Sequence, residues 1–170
     1  MNTDEAVVVA LGGNLALEGQ AVQAVLELAA GRLAGEGLRP VRRSRWWRSA
    51  AWPDPAEPAF LNGVAIVETA LAPREVLEAL MRIETAFGRR RSLPNAPRTL
   101  DLDLIAYGRR ILGEPDLVLP HPRAADRLFV MGPLAEIAPG WRHPLLNRTA
   151  AELAASATVG VDAAPVADNG

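Results

Sequence analysis

"PRTLDLDLIAYG", Pro97 to Gly108, alternates leucine with aspartate and then runs on through Ile105, Ala106 and Tyr107. A period of two belongs to a strand. It places Leu100, Leu102 and Leu104 on one side and Asp101 and Asp103 on the other, the two acids about 6.7 Å apart along the chain. Aspartate is disfavoured inside strands, where Thr, Lys or Gln would serve a merely wet face better. Two adjacent carboxylates repel each other unless a cation lies between them, and a hard divalent ion with oxygen ligands, Mg²⁺ above all, is their natural partner. A solvated face on an amphipathic strand is the alternative reading of the same alternation.

The rest of the chain sets this strand in order. Ala6–Gly13, "AVVVALGG", is a short β-branched run stopped by glycines, which suits a buried strand. Ala16–Ala34 spaces Val22, Val25, Leu26, Leu28, Ala29 and Leu33 as a helix does. "RPVRRSRWWRS" alternates loosely as a strand and Ala59–Leu71 as another. Ala72–Gly88 then has Pro73 near a helix start, Gly88 at its end, and Val76, Leu77, Leu80, Ile83 and Phe87 as its apolar stripe. Strand, helix, strand, strand, helix, strand is the split βαβ order. It predicts an α+β, ferredoxin-like βαββαβ antiparallel sheet with helices on one face. Short C-terminal helices are expected in Pro120–Pro139 and in Asn147–Ala155, the last capped by Asn147 or Thr149. Residues 1–158 read as a single domain, and the small, acidic, aperiodic 159–170 as a disordered tail.

Composition narrows the functions open to such a domain. At 170 residues, 49% hydrophobic and 22% charged, the chain can bury a core of its own. The absence of cysteine excludes a disulfide, a thiolate metal site and a cysteine nucleophile, and fits a reducing compartment. The start carries Asp4 and Glu5 with no basic segment, and no apolar run reaches the length of a membrane span, so a cytoplasmic protein without a membrane partner is expected. A net charge of −2 argues against a nucleic-acid coat. All 18 basic residues are arginine, which removes the P-loop, protein-kinase and Schiff-base lysines as candidates. A monomer is the expected state.

Two connections exceed what the fold needs: "RSAAWPDPAEP", Arg48–Pro58, and "RRRSLPNAPRT", Arg89–Thr99. The second delivers the chain to the two aspartates and carries Arg89, Arg91 and Arg98. Arginine forks bind phosphate bidentately and Mg²⁺ on carboxylates neutralises phosphoryl oxygens, so the set suits a nucleoside triphosphate with its metal. Arg90 reads better as a solvated helix end. His121 stands between two prolines, where a structural hydrogen bond is the plain reading and a site role the sharper one. Phe60 and Phe129 fit core packing by their spacing. Asn62, two residues after Phe60 on the same strand face, is an odd core residue but a good reader of a flat heterocycle.

These stretches resemble a known family. "NAPRTLDLDL" (Asn95–Leu104), read with "FLN" (Phe60–Asn62) and "LPHPRAADRLF" (Leu119–Phe129), is similar to the 6-hydroxymethyl-7,8-dihydropterin pyrophosphokinases of folate synthesis, over roughly Val7 to Pro139. The resemblance implies a ferredoxin-like fold and pyrophosphate transfer from ATP to the pterin alcohol. It implies two Mg²⁺ ions on Asp101 and Asp103, one also touching the attacking hydroxyl. Arg89, Arg91, Arg98, His121 and Arg127 would hold the triphosphate, with the first three catalytic beside the aspartates. Phe60 and Phe129 would sandwich the pterin, and Asn62 would bond its edge. Both long loops would close over the substrates. The chain departs from the family pattern at Asn95–Ala96, where Trp-Gly is common, at Ser49–Ala51, often Thr-Pro-Pro, and at Gly13, often serine. Two other readings remain at this stage: a palm-like nucleotidyl-transfer domain, which needs a nucleic-acid path, and a non-catalytic ligand- or RNA-binding module, which would not need paired aspartates.

Overall fold

The computed structural model describes residues 2–14, 21–50, 59–88 and 100–166. In chain order its elements are β1 (Val7–Gly13), α1 (Val22–Arg32), β2 (Arg39–Arg43), β3 (Trp47–Ser49), β4 (Phe60–Glu68), α2 (Pro73–Ala86), β5 (Asp101–Tyr107), β6 (Leu112–Glu114), β7 (Leu117–Leu119), α3 (Leu128–Ile137), α4 (Ala150–Ser156) and β8 (Ala164–Pro165). β1 is apolar on both faces because it runs through the middle of the sheet, antiparallel to β5 on one side and β4 on the other. β2 and β3 share the far side of β4, and β8 closes that edge on β3. This is the expected ferredoxin-like, antiparallel arrangement.

Alternation assigns the strand residues to two cores. Val7, Val9, Leu11, Leu102 and Leu104 pack with Val25, Leu26, Val76 and Leu80 of α1 and α2. Val8, Val64, Ile66 and Ile105 pack on the opposite face with Met131, Leu134 and Leu153 of α3 and α4, and with Trp141. The C-terminal helices therefore cover the face that α1 and α2 leave open. Pro73 sits at the start of α2, and Glu75 closes a bond to the Ala72 N–H at 2.9 Å. α4 starts at Thr149, whose hydroxyl accepts from Glu152 N at 3.1 Å, a cap worth about 1 kcal/mol.

Three features differ from the sequence reading. The strand expected across 39–49 breaks into β2 and β3, with a register shift between Pro40 and Arg42. Pro40 has no N–H to give, and Trp46 turns into the core against Gly63, its Nε1 donating to Glu27 at 2.7 Å. Second, β6 and β7 form a small hairpin that no sequence pattern announced. Arg74 of α2 ties it down through Asp116 and Glu114, and this hydrogen bonding holds the Asp116 carboxyl below its usual range. Third, residues 159–166 do not leave the body as a tail. Val159 pairs with Arg127 and Ala164–Pro165 with β3, Asp162 accepts from Ala50 N, and Ala163 and Val166 turn toward the body. Residues 16–20, the start of the first expected helix, lie outside the described residues, and the helix is described over Val22–Arg32.

His143 gives the fold a pH dependence. It is 5% exposed, its Nδ1 accepts from the N–H of Leu145 (3.2 Å) and Leu146 (3.1 Å), and its ring meets Trp141 edge-on. Burial, and secondarily Arg109, push its pKa down. A base whose folded pKa is depressed stabilises fully above its unfolded value, about 6.5, and loses that contribution as pH falls below it. The half-buried His121 is shifted in the same direction. The urea midpoint should therefore fall between pH 7.5 and 5.5, a window above the carboxylates. His143→Asn, which keeps an acceptor at the Nδ1 position, should flatten that fall. An unchanged slope in the variant would place the effect elsewhere.

Candidate functional site

Register brings the candidate residues together. Gly12 of β1 is opposite Asn62 on one side and Asp101 on the other, and Ala10 is opposite Val64 and Asp103. Asn62, Asp101 and Asp103 therefore share the face that α3 covers, with Gly12 and Ala10 as the floor between them. Gly12 is a space requirement: a Cβ there would run into Asn62 Oδ1. That floor was not singled out in the sequence, since its meaning depends on a pairing between distant strands.

Two cavities meet at the aspartates. An inner recess is lined by Gly12, Asn62, Asp101, Asp103, His121, Arg127 and Phe129. An outer cleft of about 600 Å³ has Leu77, Met81, Glu84, Asp116 and Arg123 around the same Asp101, Asp103, His121 and Arg127. The four shared residues stand at the junction. The inner space is bounded by an amide and an aromatic ring, and the outer one opens between α2, the β6–β7 hairpin and the loop after β7. A flat ring with polar edges suits the first, and a charged, larger molecule suits the second.

Hydrogen bonds hold His121 in the loop after β7. The Leu119–Pro120 peptide is cis, His121 N donates to Ile105 O at 2.8 Å, and Arg123 N donates to His121 Nδ1 at 3.3 Å. That last bond leaves the ring proton on Nε2. Burial lowers the His121 pKa, with Arg127 and Arg123 adding to the shift and Asp101 opposing it, so the imidazole is neutral near pH 7. A neutral ring with Nε2–H is a hydrogen-bond donor to an anion. Arg127 lies over the Phe129 ring, its Cζ 5.6 Å from the centroid.

Other residues fall differently. Phe60 is half-buried on β4, paired with Ser49, and lies beyond the residues lining the recess, although it shares the face of Asn62. Arg89, Arg91 and Arg98 lie outside the described residues, as do the Asn95–Ala96 departure and most of the first long loop. Glu84, which the sequence reading passed over, is buried in α2 and accepts from Leu102 N at 2.8 Å, so it holds β5 between the two aspartates. Its position in the helical stripe beside Ile83 was the available signal.

The donor set fits Mg²⁺. Asp101 and Asp103 offer hard oxygens, and among the described residues no group of three or more His, Cys, Asp or Glu forms a closed metal cage. Such a site would leave further positions to phosphate and water, as Mg²⁺ prefers.

Comparison with known proteins gives the chain a family. The family model described as 7,8-dihydro-6-hydroxymethylpterin-pyrophosphokinase (HPPK) matches residues 8–139. A 2-amino-4-hydroxy-6-hydroxymethyldihydropteridine pyrophosphokinase of Synechocystis sp. is 44% identical over 147 residues, 86% of this chain and 73% of that protein. One of the same name from Pseudomonas aeruginosa is 41% identical over 159 residues, 94% of this chain and 96% of that protein. Among solved structures, wild-type Plasmodium falciparum HPPK-DHPS superposes with a TM-score of 0.68 over 88% of this chain and 44% of its own, at 14% identity. That last likeness concerns the fold, and this chain spans less than half of that protein.

Proposed function

The chain belongs to the 7,8-dihydro-6-hydroxymethylpterin-pyrophosphokinase family, and on that premise we propose how its residues serve the family's reaction. That reaction moves pyrophosphate from ATP to 6-hydroxymethyl-7,8-dihydropterin, giving the pterin diphosphate and AMP in folate synthesis. The observation that carries the residue assignment is the meeting of recess and cleft at Asp101, Asp103, His121 and Arg127. A pterin in the recess and a triphosphate in the cleft would bring acceptor and phosphorus together at the carboxylates.

In this reading Phe129 stacks on the pterin and Asn62 bonds its edge, with Phe60 beyond them on the same face. Arg127 and the neutral His121 donate to phosphate oxygens from the junction. Arg89, Arg91 and Arg98 are assigned to the triphosphate from the sequence alone. Two Mg²⁺ ions held by Asp101 and Asp103 would neutralise phosphate charge and acidify the attacking alcohol. The chain's own contribution is placement and charge compensation, since phosphoryl transfer asks little covalent chemistry of a protein. No described helix is long and apolar enough to cross a membrane. We propose a monomeric enzyme of the cytoplasm.

The test is the identity of the nucleotide product. With ATP, Mg²⁺ and the pterin alcohol the protein should form AMP, only when the pterin is present, and EDTA should stop it. ADP as product, or AMP formation indifferent to the pterin, would overturn the assignment.

A further inference from the structure

We propose that Thr158–Val166 is a positioning strap for the pterin side of the site, a role that rests on reading the recess as the pterin site. The segment is tied to the recess lining at two points and to the sheet row behind it at a third.

The first is the start of α3. Val159 N donates to Asp126 O at 3.0 Å and Leu128 N donates to Val159 O at 2.9 Å, so a parallel bridge brackets Arg127. Asp126 reinforces it by accepting from Thr158 N at 2.9 Å and from the Thr158 hydroxyl. The second is Phe129 itself. Gly160 has φ +68°, and a Cβ there would lie 2.5 Å from Phe129 Cδ1 and 3.0 Å from Cε1. The strap backbone therefore lies directly against the ring, and only glycine accepts both the turn and the contact.

The third point is the sheet. Pro165 is opposite Trp47, Trp47 opposite Asn62, Asn62 opposite Gly12, and Gly12 opposite Asp101. The strap is thus the outer end of the same row that carries the amide reader and a metal-binding carboxylate. Asp162 Oδ2 also accepts from Ala50 N at 2.7 Å, and Val166 N donates to Trp46 O at 2.8 Å, which fixes both ends of β3. A segment that only filled surface would not hold the helix start, the ring and the row at once. Positioning of this kind acts through Phe129 and Asn62, without contact between strap and substrate.

Steady-state kinetics of purified full-length variants separate this role from plain stabilisation. Gly160→Ala should raise KM for the pterin about tenfold and leave KM for ATP within about twofold, since small misplacement of a stacking ring weakens one substrate selectively. Asp162→Ala should move the pterin KM in the same direction, whereas Asp162→Asn, which still offers an oxygen to Ala50 N, should restore it. The Asp162 pair keeps the test open if Gly160→Ala does not fold. Phe129→Ala is the reference. If it raises the pterin KM and neither Gly160→Ala nor Asp162→Ala does, the strap is structural only and the recess reading stands. If Phe129→Ala leaves the pterin KM unchanged as well, the recess reading fails and the strap role falls with it. A lowered melting temperature with both KM values unchanged would likewise overturn the proposal.

Discussion

Asp101→Ala and Asp103→Ala should each cut kcat by about a thousandfold or more, because removal of a group that holds charge-compensating metal on the reacting phosphates affects the transition state most. The same variants should stay folded. Both side chains are half-buried on the face opposite the leucine core, and Leu100, Leu102 and Leu104 keep their packing against α1 and α2. Strand pairing to β1 is a backbone matter and survives the change. The check is AMP formation at saturating ATP and pterin, beside a thermal midpoint by circular dichroism. Raised Mg²⁺ should recover part of the activity of Asp101→Asn or Asp103→Asn, which keep one oxygen ligand, more than that of the alanine variants. Near-normal turnover in either alanine variant would remove that aspartate from the metal site.

The same two residues show what the sequence could disclose. A period of two with acids on one face is a local signal, and it gave the strand and both aspartates of the candidate site. The helices were legible for the same reason: α2 shows its stripe in every turn, from Val76 to Phe87. What the sequence concealed depends on distant pairing. Gly12 is only a strand-ending glycine in the sequence until β4 and β5 bring Asn62 and Asp101 to its two sides. The break between β2 and β3 depends on which of two adjacent tryptophans turns inward, and Trp46 does so only because Gly63 leaves room across the strand. The β6–β7 hairpin uses three-residue strands, too short for any periodicity to register, and is secured by Arg74 from another helix. Residues 159–166 read as detachable because most of their anchoring is by hydrogen bonds to Asp126, Leu128, Ala50 and β3, and two small contacts at Ala163 and Val166 make no periodic pattern.

Phe129→Ala is the second large effect, and its sign separates a stacking platform from a core residue. Loss of an aromatic face under a flat heterocycle costs about 1 to 3 kcal/mol, so pterin affinity should drop about tenfold to a hundredfold. ATP affinity should change far less, because the outer cleft is lined from α2, the hairpin and the loop after β7, without Phe129. One competing effect must be weighed: Arg127 lies over the ring and lines both cavities, so the truncation also removes that cation's support. A cation over a ring is worth about 0.5 to 1 kcal/mol when exposed and about 2 when desolvated, so for the half-buried Arg127 the loss stays within that of the stack, and the guanidinium keeps the charge that would meet phosphate. The selectivity should therefore survive. Separate titrations with a non-hydrolysable ATP analogue, and with the pterin in its presence, measure it directly. Equal losses for both ligands, together with a fall in melting temperature, would return Phe129 to the hydrophobic cluster of Val130, Met131 and Leu134, against which it also packs.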